Sequence, residues 1–336
     1  MPLLRVFLAV FFAAVMSCGF TSNSLAAWKA VSPSGYSGST FTGIWQPQPG
    51  LRFISASNGA IIQNNGTAWT ALQSPTNQDL TAVWGQVYQG GGTSAAKVNL
   101  YAVGSQGAML HYNASGWQLQ NNATSLRLNS VWGSSTNSPS GPAVVATGMG
   151  GIYVNDLLGQ NNWRGAFLAS GLNFQGLSGD SPRHVLAGAV AGTVWTGGGS
   201  HLENWFPYPT GGNQDITAIW SDAPGSFYAV GSSGLALHGN GSAWQIMPTP
   251  TSRTLRAVWG TSANNVYAVG DQGTILRFNG TAWNLETSNT TQDLLGVCGS
   301  SASDVTVVGA GGTVLNNGSS LSHATLAAAL TILLGQ

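Results

Sequence analysis

The chain has 336 residues, among them 47 Gly and 13 Trp, and its 10 Lys and Arg residues balance its 10 Asp and Glu residues. A net charge of zero argues against a nucleic-acid partner, because binding to phosphates needs a dense Lys and Arg surface. Abundant Gly and recurrent apolar residues favour short β-strands joined by turns and argue against a disordered chain.

Residues 1–26 predict a signal peptide. Arg5 carries a positive charge, residues 6–20 are nearly all apolar, and small residues follow up to Ala26. The apolar run is shorter than the roughly 20 residues that span a bilayer. The segment ending at Cys18 also resembles a bacterial lipoprotein cleavage box, so two modes of processing stay open. Either one predicts a secreted or cell-surface protein. Cleavage after Ala26 removes Cys18 and leaves Cys298 as the one cysteine of the mature chain.

A repeat of roughly 40 residues fills the rest of the chain. Its clearest copy is LRAVWGTSANNVYAVGDQGTILRFNGTAW, from Leu255 to Trp283. Copies 1 to 7 begin at Phe41, Leu80, Leu128, Phe174, Ile216, Leu255 and Leu294. The inner Trp position of the repeat holds Trp45, Trp84, Trp132, Ser178, Trp220, Trp259 and Cys298. The outer Trp position holds Trp28, Trp69, Trp117, Trp163, Trp205, Trp244 and Trp283.

Each copy predicts four short antiparallel strands. In copy 6, alternating apolar residues end at Gly260, a β-branched and aromatic segment ends at Gly270, and Asn279-Gly280 is a strong hairpin turn. Four strands per copy is the unit of a β-propeller, in which neighbouring sheets bury each other's faces.

The two ends of the repeat region predict how the ring closes. The copy that begins at Leu294 supplies three strands and lacks the one with the outer Trp, whereas the mature N-terminus begins with a segment of that type around Trp28. We therefore expect an all-β, seven-bladed β-propeller over residues 27–317, closed by the N-terminal strand. Closure would also remove an exposed sheet edge.

Residues 318–336 have no place in that ring. Their apolar end is too short to span a membrane. Small residues, a polar spacer and an apolar terminus resemble a GPI-attachment signal, and a terminal helix is the alternative. Seven Asn-x-Ser/Thr sequons occur, and turn-forming composition explains those that recur at Asn65, Asn113, Asn240 and Asn279.

Candidate binding residues lie where loops precede or extend the strands. Asp79, Asp215 and Asp293 each follow Gln just before the first strand of a copy. They either cap that loop through backbone N–H groups or form a polar rim around the axis. Arg127 and Arg256 fall near the same end, and Tyr88 and Lys97 lie in an insertion of copy 2, residues 86–98, of the kind that often carries binding.

The sequence lacks the motifs of common catalytic and metal sites. The sequence has no GxSxG, phosphate loop or zinc spacing, and its two Glu residues do not form a glycosidase pair. Cys298 stands in a position that five other copies fill with Trp, which predicts a buried, inert thiol. We expect no catalytic residue, no metal and no cofactor.

The repeat WG…VYAVG…G.IL..NG..W resembles the propeller repeats of many bacterial secreted and surface proteins. The turn from Asn279 to Trp283 resembles a degenerate Asp-box, the hairpin of sialidase-type propellers. The chain is also similar to the photosystem II assembly factor family of seven-bladed propellers. These resemblances imply a scaffold with its binding surface on one face of the ring.

Three functions follow as hypotheses. The preferred one is a non-catalytic, monomeric, extracytoplasmic module that binds a glycan or a protein and is anchored to a membrane if a terminus is lipidated. The alternatives are a glycosidase or sialidase-like enzyme that uses the axial pocket, and an assembly scaffold for other exported proteins. The sequence alone does not identify the ligand.

Overall fold

The structure, a computed structural model, describes residues 27–89, 96–113, 115–121, 123–134, 144–155, 161–199 and 202–318. The predicted signal peptide and residues 319–336 of the tail lie outside this part of the chain. Within it, no helix is long and apolar enough to cross a membrane.

Four sheets each contain four antiparallel strands in chain order. The first sheet consists of β2 Phe41–Gln48, β3 Leu51–Ala56, β4 Ile61–Asn65 and β5 Trp69–Leu72. The second consists of β6 Leu80–Gln89, β7 Ala96–Gly104, β8 Met109–Asn113 and β9 Gly116–Leu119. Two further sheets consist of β16 Ile216–Ala223, β17 Ser226–Gly231, β18 Ala236–Gly239 and β19 Trp244–Ile246, and of β20 Leu255–Ser262, β21 Asn265–Gly270, β22 Thr274–Phe278 and β23 Trp283–Glu286.

One sheet, here called the closing sheet, joins the two ends of the described chain. It consists of β1 Lys29–Ala30, β24 Leu294–Ser301, β25 Asp304–Gly309 and β26 Val314–Asn316, in the order β1-β26-β25-β24. Lys29 pairs with Asn316 and Ala30 with Leu315. The predicted closure by the N-terminal strand is therefore observed.

The remaining sheet, here called the double sheet, contains six strands. It consists of β10 Leu128–Gly133, β11 Val144–Asn155, β12 Trp163–Ser181, β13 His184–Ala189, β14 Thr193–Gly198 and β15 Asn204–Pro209. The strand β12 pairs with β11 through residues up to Asn173 and with β13 from Phe174 onward. It is thus the outer strand of copy 3 and the inner strand of copy 4.

The described strands consequently form six sheets, and the prediction of seven blades is wrong. The physical reason lies in the link between copies 3 and 4. Other links, such as residues 73–79 and 247–254, carry Pro, Asn, Asp or Thr residues that end a strand. Residues 164–173 have the sequence RGAFLASGLN, which has no Pro, Asp or Thr and reaches Asn only at its last position, so the strand continues across the junction.

The inner strands contact one another in the closed order β2, β6, β10, β12, β16, β20, β24 and β2 again. Buried apolar side chains fill the seams between sheets; for example, Tyr228 and Val230 of β17 pack with Leu255 and Val258 of β20. Tight turns join the second and third strands of five copies, and each contains a residue with positive φ, such as Asn58 or Gln272. The turns are Ser57–Gly59, Ser105–Gly107, Ser232–Gly234, Asp271–Gly273 and Ala310–Gly312.

Candidate functional site

A cavity of about 480 Å³ lies at the axis, where the inner strands surround it. All seven copies contribute to its wall through the same segment of their inner strand. This segment runs from the second residue of the copy to the inner Trp position or the residue after it, for example residues 42–46 in copy 1. Arg256 is the one Lys, Arg, Asp or Glu side chain in the described lining, and the other groups of the lining are hydroxyls, amides, indoles, aliphatic chains and one thiol.

The inner Trp residues interlock neighbouring copies. A Cβ atom on Gly133 would lie 2.5 Å from the ring of Trp84, and one on Gly179 would lie 2.7 Å from the ring of Trp132. The indole of each copy therefore occupies space that the glycine of the next copy leaves free. The pattern continues at Gly260 and Gly299, which meet Trp220 and Trp259 in the same way.

This interlock explains where the repeat departs from Trp-Gly. Copy 4 has Ser178 in place of Trp, and the next copy has Ser221 in place of Gly. Copy 7 has Cys298, and the first copy, its neighbour across the closure, has Gln46. Wherever the large ring is absent, the next copy carries a side chain, because the space is no longer filled.

A second ring of contacts consists of hydrogen bonds between adjacent inner strands. The hydroxyl of Thr42 donates to the Leu80 carbonyl at 2.7 Å, and that of Thr81 donates to the Leu128 carbonyl at 2.8 Å. Asn129 and Thr217 repeat this arrangement, donating to the Phe174 and Leu255 carbonyls. The same repeat position holds Gln175, Arg256 and Leu295 in the other copies. The side chain at this position thus differs between copies, being a hydroxyl, an amide, a guanidinium or an aliphatic chain, and the charge lies on the side of Arg256.

The three predicted rim carboxylates bind backbone at the seams. Oδ1 of Asp79 accepts from the backbone N–H of Asn58 at 2.8 Å, and that of Asp293 accepts from Gln272 at 2.9 Å. Asp215 accepts from Ala191 in the same way, at 2.9 Å. Each donor has positive φ and belongs to the preceding copy. The capping interpretation thus describes their contacts, and none of them lines the axial cavity.

The two predicted arginines occupy different places. Arg256 lies on the cavity wall, and its Nε pairs with the carboxylate of Asp271. Arg127 is exposed, donates from Nε to Asn129 Oδ1 at 3.1 Å, and does not line the cavity. The structure therefore brings one of the two to the axis.

The copy 2 insertion is a continuation of two strands. Tyr88 of β6 and Lys97 of β7 are directly paired in register. Residues 90–95, which connect them, lie outside the described residues, as do the side chains of Tyr88 and Lys97. The binding role of the insertion stays a prediction.

The thiol of Cys298 lies on the cavity wall, and burial raises its pKa to about 11. At neutral pH it is therefore a thiol and a poor nucleophile. Across the described residues, no three His, Cys, Asp or Glu side chains stand close enough to hold a metal ion.

Sequence reasoning missed the contacts of the outer Trp residues. Nε1 of Trp28 donates to the buried carboxylate of Glu286 at 2.8 Å, and Nε1 of Trp69 donates to the Val31 carbonyl at 3.1 Å. Each acceptor follows the preceding copy's outer Trp by three positions. Burial raises the pKa of Glu286, although the bond from Trp28 opposes this shift. Trp205 differs, because its Nε1 donates to the Leu202 carbonyl of its own copy at 2.7 Å. The offset of three residues that Glu286 and Val31 share is the signal that could have identified these two pairs.

Comparisons with known proteins give a fold and no family. No protein-family model matches the chain, and no curated protein matches it. Among solved structures, YCF48 from Cyanidioschyzon merolae is 16% identical with a TM-score of 0.65 and covers 87% of this chain and 98% of its own. The structure described as "YCF48 bound to D1 peptide" is 14% identical with a TM-score of 0.67, covering 88% of this chain and 100% of its own.

The WD40 β-propeller domain of Doa1 is also similar, at 10% identity and a TM-score of 0.61, over 87% of this chain and 95% of that domain. Identities this low establish shared architecture and leave function to the site itself. The expected resemblance to propeller proteins is confirmed at that level: this chain is a β-propeller.

Proposed function

We propose that this protein is a non-catalytic, extracytoplasmic binding module that holds a segment of another protein against the axial face of the propeller. The observation that carries the proposal is the composition of the cavity wall. Its described lining offers hydroxyl, amide or indole groups from copies 1 to 6 around one arginine, and it contains no carboxylate or imidazole for acid–base chemistry.

Two further observations support a polypeptide ligand. A peptide presents amides and mixed side chains, which match a wall where Asn129, Gln175 and Arg256 alternate with aliphatic residues. One of the similar propellers was solved with a bound peptide. The extracytoplasmic location rests on the signal-peptide pattern of residues 1–26.

Site-specific photocrosslinking tests this proposal in cells that produce the protein. A benzophenone amino acid at Gln175, on the cavity wall, should capture a discrete protein adduct. The same group at Asn284, an exposed residue of β23, serves as the matched control and should not. Absence of an adduct at Gln175, or the same adduct at both positions, would contradict the proposal.

A pair of arginines sharpens the test. Arg256→Ala should reduce the adduct several-fold, because it removes the charged group from the wall. Arg253→Ala should leave the amount of adduct unchanged, since Arg253 is exposed outside the cavity and donates to the Gln272 carbonyl.

Two other parts of the proposal have their own tests. Turnover of a glycoside or ester by the purified protein would contradict the non-catalytic part. Cell fractionation that places the protein in the cytoplasm would contradict the location.

A further inference from the structure

Three large apolar side chains are exposed together at one end of copy 3. Leu126 is 45% exposed, Met149 is 46% exposed and Leu168 is 68% exposed. The two leucines lie against the residues that follow Met149 in β11. A Cβ atom on Gly150 would lie 2.9 Å from Cδ1 of Leu126. One on Gly151 would lie 2.9 Å from Cδ2 of Leu168. The three side chains therefore form one apolar surface, here called the copy 3 patch.

Most other copies carry polar residues at these three repeat positions. Where copy 3 has Met149, copies 1, 2 and 5 have Ser and copy 6 has Asp. Leu126 stands two residues before the first strand of its copy, and Gln stands there before copies 2, 5 and 7. Leu168 follows the outer Trp by five residues, where a Ser or Thr hydroxyl donates to a backbone carbonyl in copies 1, 4, 5 and 6. The repeat therefore does not require apolar residues here, and a clustered exposed patch of this kind is typical of an interaction surface.

Hydrogen bonds connect the copy 3 patch to the axial wall. The backbone N–H of Met149 donates to the Arg127 carbonyl at 2.9 Å. Nε of Arg127 donates to Oδ1 of Asn129 at 3.1 Å, and Asn129 lines the axial cavity. Because Arg127 directly follows Leu126, its exposed side chain extends from the edge of the patch to the cavity wall. The patch and the wall are thus continuous.

The charged groups of the two surfaces differ in their partners. Met149 occupies the repeat position of Asp271, and the carboxylate of Asp271 pairs with Arg256 of the axial wall. The patch and Arg256 therefore lie at the same end of the ring, and Asp271 compensates the charge of Arg256. Among the described residues, Arg127 takes part in no ion pair, so its charge is available to a ligand.

We propose that the copy 3 patch binds aliphatic side chains of a polypeptide segment that continues onto the axial wall, and that Arg127 meets a carboxylate of this segment. The inference rests on the proposed function and adds the chemistry of the ligand, which is at least two Leu, Ile, Val or Met residues beside an Asp or Glu. Burial of the aliphatic side chains contributes affinity. The charge-assisted hydrogen bond to the guanidinium fixes the orientation of the segment.

A second copy of this chain fits the patch less well than a short segment does. A stable interface between two proteins buries roughly 800 Å² on each partner, which takes about 20 residues or more. The three side chains of the patch supply a small part of that area. They suit a ligand that obtains its remaining contacts at the axis.

The probe for this proposal is a phage-displayed library of random peptides, selected on the full chain. The selected sequences should be enriched in an acidic residue next to aliphatic residues. A fluorescently labelled peptide of the strongest sequence is then titrated by anisotropy. The triple variant Leu126→Gln, Met149→Ser and Leu168→Ser gives copy 3 the residues of other copies, and it should bind this peptide at least about tenfold more weakly. Arg127→Gln alone should weaken binding several-fold.

A matched triple variant controls for the loss of exposed apolar surface. Leu119→Gln, Ile246→Ser and Leu285→Ser change three exposed residues of the outer strands β9, β19 and β23. This variant should bind the peptide as the wild type does, and thermal unfolding checks that both triple variants fold. Equal weakening in the two triple variants would overturn the proposal.

The remaining outcomes separate this inference from the proposed function. Peptides that Arg256→Ala weakens, and that the copy 3 triple variant binds like the wild type, would retain the axial site and overturn the patch. Recovery of no peptide, or of peptides without aliphatic residues, would also overturn it. A loss of binding in the copy 3 triple variant and none in Arg256→Ala would support the patch and contradict the axial site. A wild-type dimer that this triple variant converts to a monomer in sedimentation velocity would assign the patch to a second copy, against the proposal.

Discussion

The closing sheet and the double sheet join neighbouring copies in opposite ways. In the closing sheet, a polar cluster centred on Asp304 connects β25 to the first sheet. Its carboxylate accepts from Arg52 at 3.1 Å and from Gln46 at 2.8 Å, both of the first sheet. Ser300 and Asn316 of the closing sheet complete the cluster at 2.7 and 2.9 Å.

In the double sheet, the backbone itself crosses from copy 3 to copy 4 through β12. The side chains packed between these copies are largely apolar, with Val145 and Val154 against Phe174 and Val185. Because β12 is one continuous strand, its backbone fixes the position of copy 3 relative to copy 4 without a polar side-chain cluster.

The difference shows what a ring needs where its chain is discontinuous. Hydrophobic contact is non-directional, so it does not by itself select one alignment of β1 and β2 against β25 and β26. Buried hydrogen bonds are directional, and an alignment that left their donors and acceptors unpaired would cost free energy. We infer that the Asp304 cluster and the Trp28–Glu286 pair fix the alignment that β12 fixes covalently elsewhere.

The largest expected effect is at Trp28. Trp28→Ala should lower the free energy of unfolding by about 3–5 kcal/mol, because it removes a buried ring and the donor to Glu286. Trp163→Ala, at the same repeat position of the double sheet, should cost less, since β12 remains continuous. Urea denaturation of both variants measures the difference, and an equal loss would break the comparison.

Asp304→Asn should cost about 3 kcal/mol, because it leaves the Arg52 guanidinium without its counter-charge in a site where the two side chains are 12% and 13% exposed. Asp271→Asn disrupts the more exposed pair with Arg256 and should cost under about 1 kcal/mol. Urea denaturation of the two variants compares their losses of unfolding free energy. Similar losses in both would show that the closing cluster is an ordinary surface pair.

Gly133→Ser should cost about 2 kcal/mol by forcing a side chain against the ring of Trp84. Gly38→Ser is the control, since a Cβ there meets no atom within 4 Å. In a double-mutant cycle, Trp84→Ser combined with Gly133→Ser should be less destabilised than the two single losses added together. Additive losses would contradict the Trp-Gly interlock.

Asp293→Ala should cost about 1 kcal/mol by removing the acceptor for the Gln272 N–H next to the closing sheet. Asp293→Asn keeps an acceptor oxygen and should retain most of that stability. Calorimetric melting compares the two. If Asn is as damaging as Ala, the negative charge of Asp293, and not only its acceptor oxygen, stabilises the turn.

The smallest expected effect is a pH dependence at Glu286. Its raised pKa means that folding favours the protonated form, so stability decreases as pH rises from the ordinary value of 4.5 through the folded-state pKa. Glu286→Gln keeps an acceptor for Trp28 and should flatten this decrease, gaining relative to the wild type toward neutral pH. A parallel decrease in both proteins would assign the titration to another group.

Much of the fold could be read from local pattern. The strands around Val266 and Leu255 follow from alternation and glycine turns, and the pairing of β1 with β26 followed from counting strands in the last copy. The Trp-Gly interlock was also readable, because Ser178 and Ser221 change together. The candidate site was less accessible: of the residues singled out for binding, Arg256 lies on the axial wall, whereas the aspartates bind backbone.

The sequence by itself determined the repeat, the type and approximate position of its strands, and the closure of the ring. These depend on residue type and on spacing within about 40 residues. Only the tertiary structure decided that copies 3 and 4 share β12, that the aspartates cap neighbouring turns, and that Trp28 donates to Glu286. Each of these depends on which groups from different copies come within hydrogen-bond distance, and spacing along the chain does not encode that distance.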